Sequence, residues 1–490
     1  MVYKHGVYGE QIPFTGTLST KTLGTIPVYI GTAPIQQINT LGSPDFDYSE
    51  LINTPILISS LADAKAKIGY SDSWDKYTLG EVIKAHFDNG VSSIGPIVVV
   101  NMASPDLKEA TDTTQSITLS GVSGNKVGYI KDCLASIEDV AITAETELAE
   151  GDYKLEYDGE WIKVVITKQG FTEATAEAIY KRIDVSDTAL TVSVFEKALS
   201  AIDLSESLLG VIPNIIVAPG YSEKPAYHEK MISKALSKIS QKWFAICVSD
   251  ISSDIDGNSV SKAISLKTTN DYTSKLDKVC WPMIKYGGYL YHLSTIAALT
   301  MQQQDTIADG VPYISPSNKS INATSTVLKD GKAITFDELT ANSLNKVGIT
   351  TVNMVRGSLR LWGSHMANYN HGTIDDILPE DRSDSSVRMM HYLLNTLQYD
   401  YLDSIDKPLS RRDIDSIKAS IQQWLNGLVN EGKLLYGTIN FVEVSNSTED
   451  MVNGDFTFDV ATTTTPIAKA LTFRVQYSTE GLAALTGGEE

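Results

Sequence analysis

Residues 77–100 read YTLGEVIKAHFDNGVSSIGPIVVV, and two periods meet in them. From Tyr77 to Asp88 the apolar residues Leu79, Val82, Ile83 and Phe87 recur at helical spacing and share one face. Asn89-Gly90 then supplies a helix stop. Ile97-Val-Val-Val100 shows no polar alternation. A strand apolar on both faces belongs inside a sheet covered on both sides. An amphipathic helix feeding such a strand is the unit of an α/β layer.

The same pattern extends outward. Ile26–Ile30 reads as a strand ended by Gly31, Ile56–Ser59 as a second, and Leu61–Ile68 as a short helix closed by Gly69. It returns after residue 203: strand Asn214–Ala218, turn Pro219-Gly220, helix Lys224–Ser240, strand Trp243–Val248. Residues 104–202 differ, being richer in Thr, Glu and Asp. There Tyr153–Tyr157 and Trp161–Ile166 flank Asp158-Gly159, a hairpin signal, and Thr172–Ile183 reads as a helix. Gly121–Lys126 lacks the spacing of a phosphate loop and reads as a hairpin turn. Past residue 341 come helices Ser385–Leu402 and Arg411–Glu431, the second opened by a Ser410/Asp413 capping box and stopped by Gly432. Strands Gly437–Val444 and Asp455–Ala461 follow. Last comes an orphan strand, Leu471–Tyr477, in which Phe473, Val475 and Tyr477 alternate with polar residues.

The expected fold class is α/β, in the wider sense α+β and multidomain. A middle α/β domain spans 23–103 and 203–340, with a β-rich outer domain inserted at 104–202. A C-terminal domain spans 341–461, and extended arms occupy 1–22 and 462–490. A chain of 490 residues exceeds one hydrophobic core, so several domains are required.

Charge and composition exclude whole classes of function. The formal net charge of −20 is opposite to the basic footprint of a nucleic-acid binder and unsuited to anionic membranes. No apolar run approaches the ~20 residues of a membrane span, and the N-terminus carries no secretory h-region. The three cysteines are sparse and odd in number, which points to a reducing compartment and no disulfide framework. The seven histidines form no HExxH pair, and His365 with His371 makes a weak metal candidate. Asp250–Gly257 echoes a calcium loop, but aligned on Gly257 its first and twelfth positions are Ser252 and Ala263, where carboxylates are needed. There is no GxSxG elbow. No catalytic residue, metal site or cofactor site is assigned, and an enzyme is not expected.

What remains is an ordered set of structural motifs. Trp281-Pro282 is followed by a Ser294-to-Ala298 helix, by Asp305, and by Gly310-Val311 through Pro316-Ser317-Asn318. Leu344-Asn345-Lys346-Val347-Gly348-Ile349, Arg356-Gly357, Leu361-Trp362-Gly363-Ser364 and Val387-Arg388 come next. In order and spacing this set resembles the tail sheath family of contractile phage tails and phage-tail-like bacteriocins. Two departures stand out: His365-Met366 where that family often has Arg-Thr, and Met389 where it has a second arginine. The tryptophans Trp281, Trp362 and Trp424 read as core aromatics whatever the function.

The resemblance implies a structural subunit made in a bacterial host cytoplasm and placed in a virion tail. It implies hexameric rings stacked around an inner tail tube, metastable when extended, which contract and drive the tube through a cell envelope. Its implied partners are itself, the tube protein, and baseplate and tail terminator proteins, with no cofactor, direct nucleic-acid binding or stable membrane insertion. It further implies strand exchange between subunits, for which Tyr3, Tyr8, Leu471, Phe473, Val475 and Tyr477 are candidates. Thr465 and Pro466 would be the hinge of the C-terminal arm, within a Thr462–Thr465 connector. Arg382, Arg388, Arg411 and Arg412 are candidate cations for gripping the tube. The alternative is another self-assembling virion or shell component, tube-like or capsid-like, that does not contract.

Overall fold

The structure is a computed structural model that describes residues 24–486 apart from 44, 91, 92, 150 and 336. Tyr3 and Tyr8 lie outside the described residues.

The chain opens with β1 (Pro27–Gly31), β2 (Pro55–Ile58), α1 (Leu61–Lys67), α2 (Leu79–Phe87) and β3 (Ile97–Asn101). An excursion follows: β4 (Lys108–Thr118), β5 (Ser120–Val122), β6 (Asn125–Ile130), β7 (Ala141–Thr143), β8 (Tyr153–Asp158), β9 (Trp161–Ile166) and β10 (Thr175–Ile183). The layer resumes with α3 (Val192–Ala201), α4 (Ser205–Leu209), β11 (Ile215–Val217), α5 (Pro225–Ser237), β12 (Ile246–Asp250), α6 (Val260–Thr269) and β13 (Asp277–Cys280). Then come β14 (Met283–Tyr286), β15 (Tyr289–Tyr291), α7 (Leu293–Ile307), β16 (Ser325–Val327), α8 (Glu338–Asn345), β17 (Ile349–Val355) and β18 (Ser358–Trp362). The last elements are α9 (Asp384–Asp400), α10 (Arg411–Asn430), β19 (Leu434–Asn440), α11 (Thr448–Asn453) and β20 (Asp459–Thr464).

The spine is an eight-stranded sheet in the order β18-β17-β13-β12-β11-β1-β3-β2, antiparallel only at its two edge pairs. Every residue of β1, β3 and β12 is buried, as a sheet covered on both faces requires. Successive side chains serve opposite cores. Tyr29, Ile97 and Val99 pack with Leu79, Val82 and Ile83 of α2 and with Leu293 and Met301 of α7. Val28, Ile30, Val98 and Val100 pack with Phe195 of α3 and Met231 of α5. Each such aliphatic side chain, fully buried, contributes roughly 1.5–3 kcal/mol.

Several expectations are corrected. The segment Thr172–Ile183 contains a strand and no helix: Ala176, Ala178 and Tyr180 are buried while Thr175, Glu177 and Lys181 are exposed, and β10 pairs with both β4 and β7. The Ala/Glu content favours a helix locally, but the period-two pattern and two strand partners override it. The β-rich module is shorter than 104–202, because α3 buries Phe195 and Leu199 beneath the main sheet. The division at residue 341 also moves, because β17 pairs in parallel with β13 and β18 completes the same sheet. The β8–β9 hairpin forms as read, with Asp158 opposite Trp161. Of the three tryptophans only Trp281 is fully buried; Trp362 and Trp424 are half-buried. Gly348 is required where it stands, since its φ is +74° and a Cβ there would lie 2.6 Å from the Met366 carbonyl oxygen.

Charged side chains buried in pairs tie α9 to this body. Lys278 of β13 and Asp384 at the start of α9 are both wholly buried, with Nζ 2.7 Å from Oδ2. Lys278 also donates to the Gly363 carbonyl, and the Ser315 hydroxyl donates to Asp384. One turn on, buried Arg388 pairs with buried Asp305 at the end of α7, and the Thr25 hydroxyl joins them. A second polar cluster sits where α2, α7 and β12 meet. Both His292 Nδ1 and the His292 main-chain N–H bond the buried Glu81 carboxylate, at 2.7 Å each, while Ser294 donates to Asp250. Burial pulls the His292 imidazolium down, but the Glu81 and Asp250 carboxylates outweigh it and its pKa is pushed up to about 9. Burial raises Asp250 to about 6 against the opposing charge of His292.

Two outcomes follow from these clusters. Lys278→Met alone should destabilise the body by about 3–5 kcal/mol in chemical denaturation, because Asp384 is left buried and unpaired; Lys278→Met with Asp384→Leu should recover most of that loss. The folded state keeps a proton on His292 that an unfolded chain releases near pH 6.5, so thermal stability should fall as pH rises from 6.5 to about 9. His292→Gln should flatten that limb of the melting-temperature profile.

Candidate assembly surface

Helices α9 and α10 and strands β19 and β20 share one core, built from Met389, Leu393, Ile421, Leu425, Leu428, Leu434 and Ile439. The amphipathic spacing of α10 buries Ile421, Leu425 and Leu428, and the Ser410/Asp413 capping box forms as read. Met389 is fully buried. The position that carries a second arginine in the family resembled is therefore a packing site in this chain.

On this core lies an antiparallel hairpin, with Gly437 opposite Thr462 and Ile439 opposite Val460. It is a sheet of two strands, so each strand has one outer edge without a strand partner among the described residues. Such edges are templates for pairing with another chain. Thr462–Thr464, expected in a connector, belong to β20 and are held by its ladder; the arm begins at Thr465. The Thr465 hydroxyl donates to the Gly432 carbonyl at 2.8 Å, and Pro466 cannot donate to a ladder.

From Pro466 to Ala470 the arm lies along a groove of about 800 Å³ that includes Tyr313, Asn345, Trp362 and Tyr369. Lys469 Nζ donates to the Tyr369 hydroxyl at 3.2 Å. Residues 471–478 form no strand with the described part of the chain. Leu471, Phe473, Val475 and Tyr477 are 74%, 84%, 96% and 79% exposed. Four large apolar side chains at alternate positions are thus held in water, an exposure uncommon for residues of this size.

The candidate tube-gripping arginines separate sharply. Arg388 is buried against Asp305 and offers no charge to a partner surface. Arg382 is half-buried, donating to the Ile377 and Ile374 carbonyls at 2.9 and 3.0 Å. Arg411 and Arg412 are exposed on the first turn of α10, the Arg411 side chain 88% exposed and 3.2 Å from Asp415. His365 stacks on Tyr369 and bonds the Arg382 carbonyl through Nδ1. Among the described residues no three His, Cys, Asp or Glu side chains cluster in a way that could hold a metal ion.

Sequence reasoning missed Lys278 and Asp384, although Asp277-Lys278 inside a strand between apolar neighbours is a signal of buried, paired charge. It also missed Gln422, whose partners lie in β19.

Comparison with known proteins agrees with this architecture. No family model matches the chain. It is 24% identical, over 99% of both chains, to the tail sheath protein of Burkholderia phage BcepMu. Its fold matches, with a TM-score of 0.56 and 13% identity, a chain of the anti-feeding prophage baseplate, covering 98% of this chain and 100% of that one. It also matches, with a TM-score of 0.56 and 12% identity, a chain of the contracted PVC sheath complex, an extracellular contractile injection system, over 98% and 99%. The chain thus resembles a phage tail sheath protein in sequence over nearly its whole length and shares the fold of these two contractile-system chains.

Phe473→Ser combined with Val475→Ser should leave the melting temperature unchanged, because neither side chain packs on the body. The same pair should remove the high-molecular-weight species from sedimentation velocity profiles, since each buried apolar side chain contributes roughly 1.5–3 kcal/mol to an interface.

Proposed function

We propose that this chain polymerises as stacked hexameric rings around an inner tail tube, is held in a metastable extended state, and contracts to drive the tube through a target envelope. The observation that carries this reading is the exposed apolar segment Leu471–Tyr477 in a chain whose β19–β20 hairpin has no third strand among the described residues. A donor strand without a home partner and an acceptor sheet of two strands complete each other when the arm of one copy adds to β19–β20 of the next. Main-chain hydrogen bonds supply the grip, so the join tolerates large rotations of the bodies it links. Thr465-Pro466 is the bend between body and strand.

Such a lattice needs no fuel during contraction. Rigid bodies joined by arms have two packings, and a small free-energy difference per copy is multiplied over the many copies of a sheath. Baseplate and terminator proteins would cap the two ends of the lattice. Arg411 and Arg412 are the proposed tube contacts: exposed cations form modest, salt-screened pairs suited to a grip that must release.

Deletion of residues 466–490 should give a soluble, folded protein with the circular-dichroism spectrum of the body and no polymers. Negative-stain microscopy of the intact chain should show hollow cylinders. Cylinders built by the truncated chain would overturn the strand-exchange reading.

A further inference from the structure

The two outer edges of the β19–β20 hairpin are not equivalent. Gln422 lies on α10 between the buried residues Ile421 and Leu425, which fix that turn of the helix against β19. Its side-chain amide donates through Nε2 to the Gly437 carbonyl at 3.0 Å and accepts from the Ile439 N–H at 3.2 Å. A third bond, from Nε2 to Asn426 Oδ1 at 2.9 Å, holds the amide in that orientation. One amide thus makes the pair of bonds that a residue of an adjoining parallel strand would make.

In an antiparallel ladder, residues two apart turn their main-chain groups the same way. Gly437 and Ile439 therefore face away from β20, and their opposites Thr462 and Val460 face away from β19. The bonds that run from β20 to α9 go through side chains, from Thr464 to Ser386 and from Thr462 to Met390. Among the described residues, no bond reaches the outward main-chain groups of Val460 and Thr462. One edge is stoppered by a side chain and the other is open.

We propose that Gln422 guards the β19 edge, so that the first strand donated by a second copy of this chain, residues 471–477, enters on β20. This rests on the strand-exchange reading above. The guard solves a problem that exchange creates: a hairpin open on both edges would accept the same arm in two places, and only one gives a regular lattice. A side-chain amide suits the task, since it satisfies the edge without covalent commitment and can be displaced later.

The test is pulsed hydrogen exchange on the full-length chain during assembly, read at the amides of Val460 and Thr462 on one edge and Gly437 and Ile439 on the other. In the free subunit, Ile439 should already be protected by Gln422. On assembly, protection should rise first at Val460 and Thr462. Protection rising first on β19, or on both edges together, overturns the guard. No new protection on either edge of assembled wild-type cylinders overturns the strand-exchange reading itself.

Gln422→Met provides the second arm of the test. It keeps side-chain length and helix propensity and deletes both edge bonds. In the free variant, exchange at Ile439 should quicken roughly tenfold. On assembly the variant should lose the order of protection and give irregular polymers. Regular cylinders from Gln422→Met, with Val460 and Thr462 still protected first, would show that Gln422 does not choose the edge.

Discussion

The pairing of Lys278 with Asp384 is the constraint on which the rest of this structure depends. Neither charge reaches water, so the two must meet, and their meeting fixes the first turn of α9 against the central strand β13. Arg388 and Asp305 repeat the device one turn later, locking α9 to the end of α7. Apolar packing alone would let a helix slide by a fraction of a turn; two buried ion pairs one turn apart allow one register. Everything C-terminal to residue 384 is positioned through that register, because β20 leans on α9 through Ser386 and Met390.

The hairpin is mounted on the α/β body through α9 and α10, and the two ion pairs hold α9 in place on that body. The first described stretch is tied to the same place, since Thr25 bonds both Asp305 and Arg388. Thr25 and the end of β20 therefore meet at one helix, α9.

Much of this was legible in the residues. The apolar run Ile97–Val100 announces a covered sheet, the Ser410/Asp413 pair announces the start of α10, and the alternation in Leu471–Tyr477 marks an apolar segment that the structure leaves exposed. The ordered motifs from Trp281 to Arg388 were recognisable as a sheath-like set, and within it Asp305 and Arg388 prove to be partners. The misjudged stretches share a cause. Residues 175–183 have helical composition but two strands to pair with, and Arg388 has the sequence of a surface cation but a carboxylate waiting in the core. Local propensity is worth tenths of a kcal/mol per residue, and a satisfied tertiary partner is worth more.

By itself the sequence determined the α/β layer, the inserted β module, and the presence of an apolar segment at the C-terminal end with no obvious place at home. These follow from periodicity and short-range chemistry, which are properties of neighbours along the chain. Only the tertiary structure decided that β17 and β18 finish the main sheet, that the threonine run is strand and not tether, and that one hairpin edge is stoppered by Gln422 while the other is open. Those facts depend on which main-chain groups face outward after distant segments have paired. The direction in which a backbone N–H points is set by its partner across space and leaves no trace in the identity of its residue.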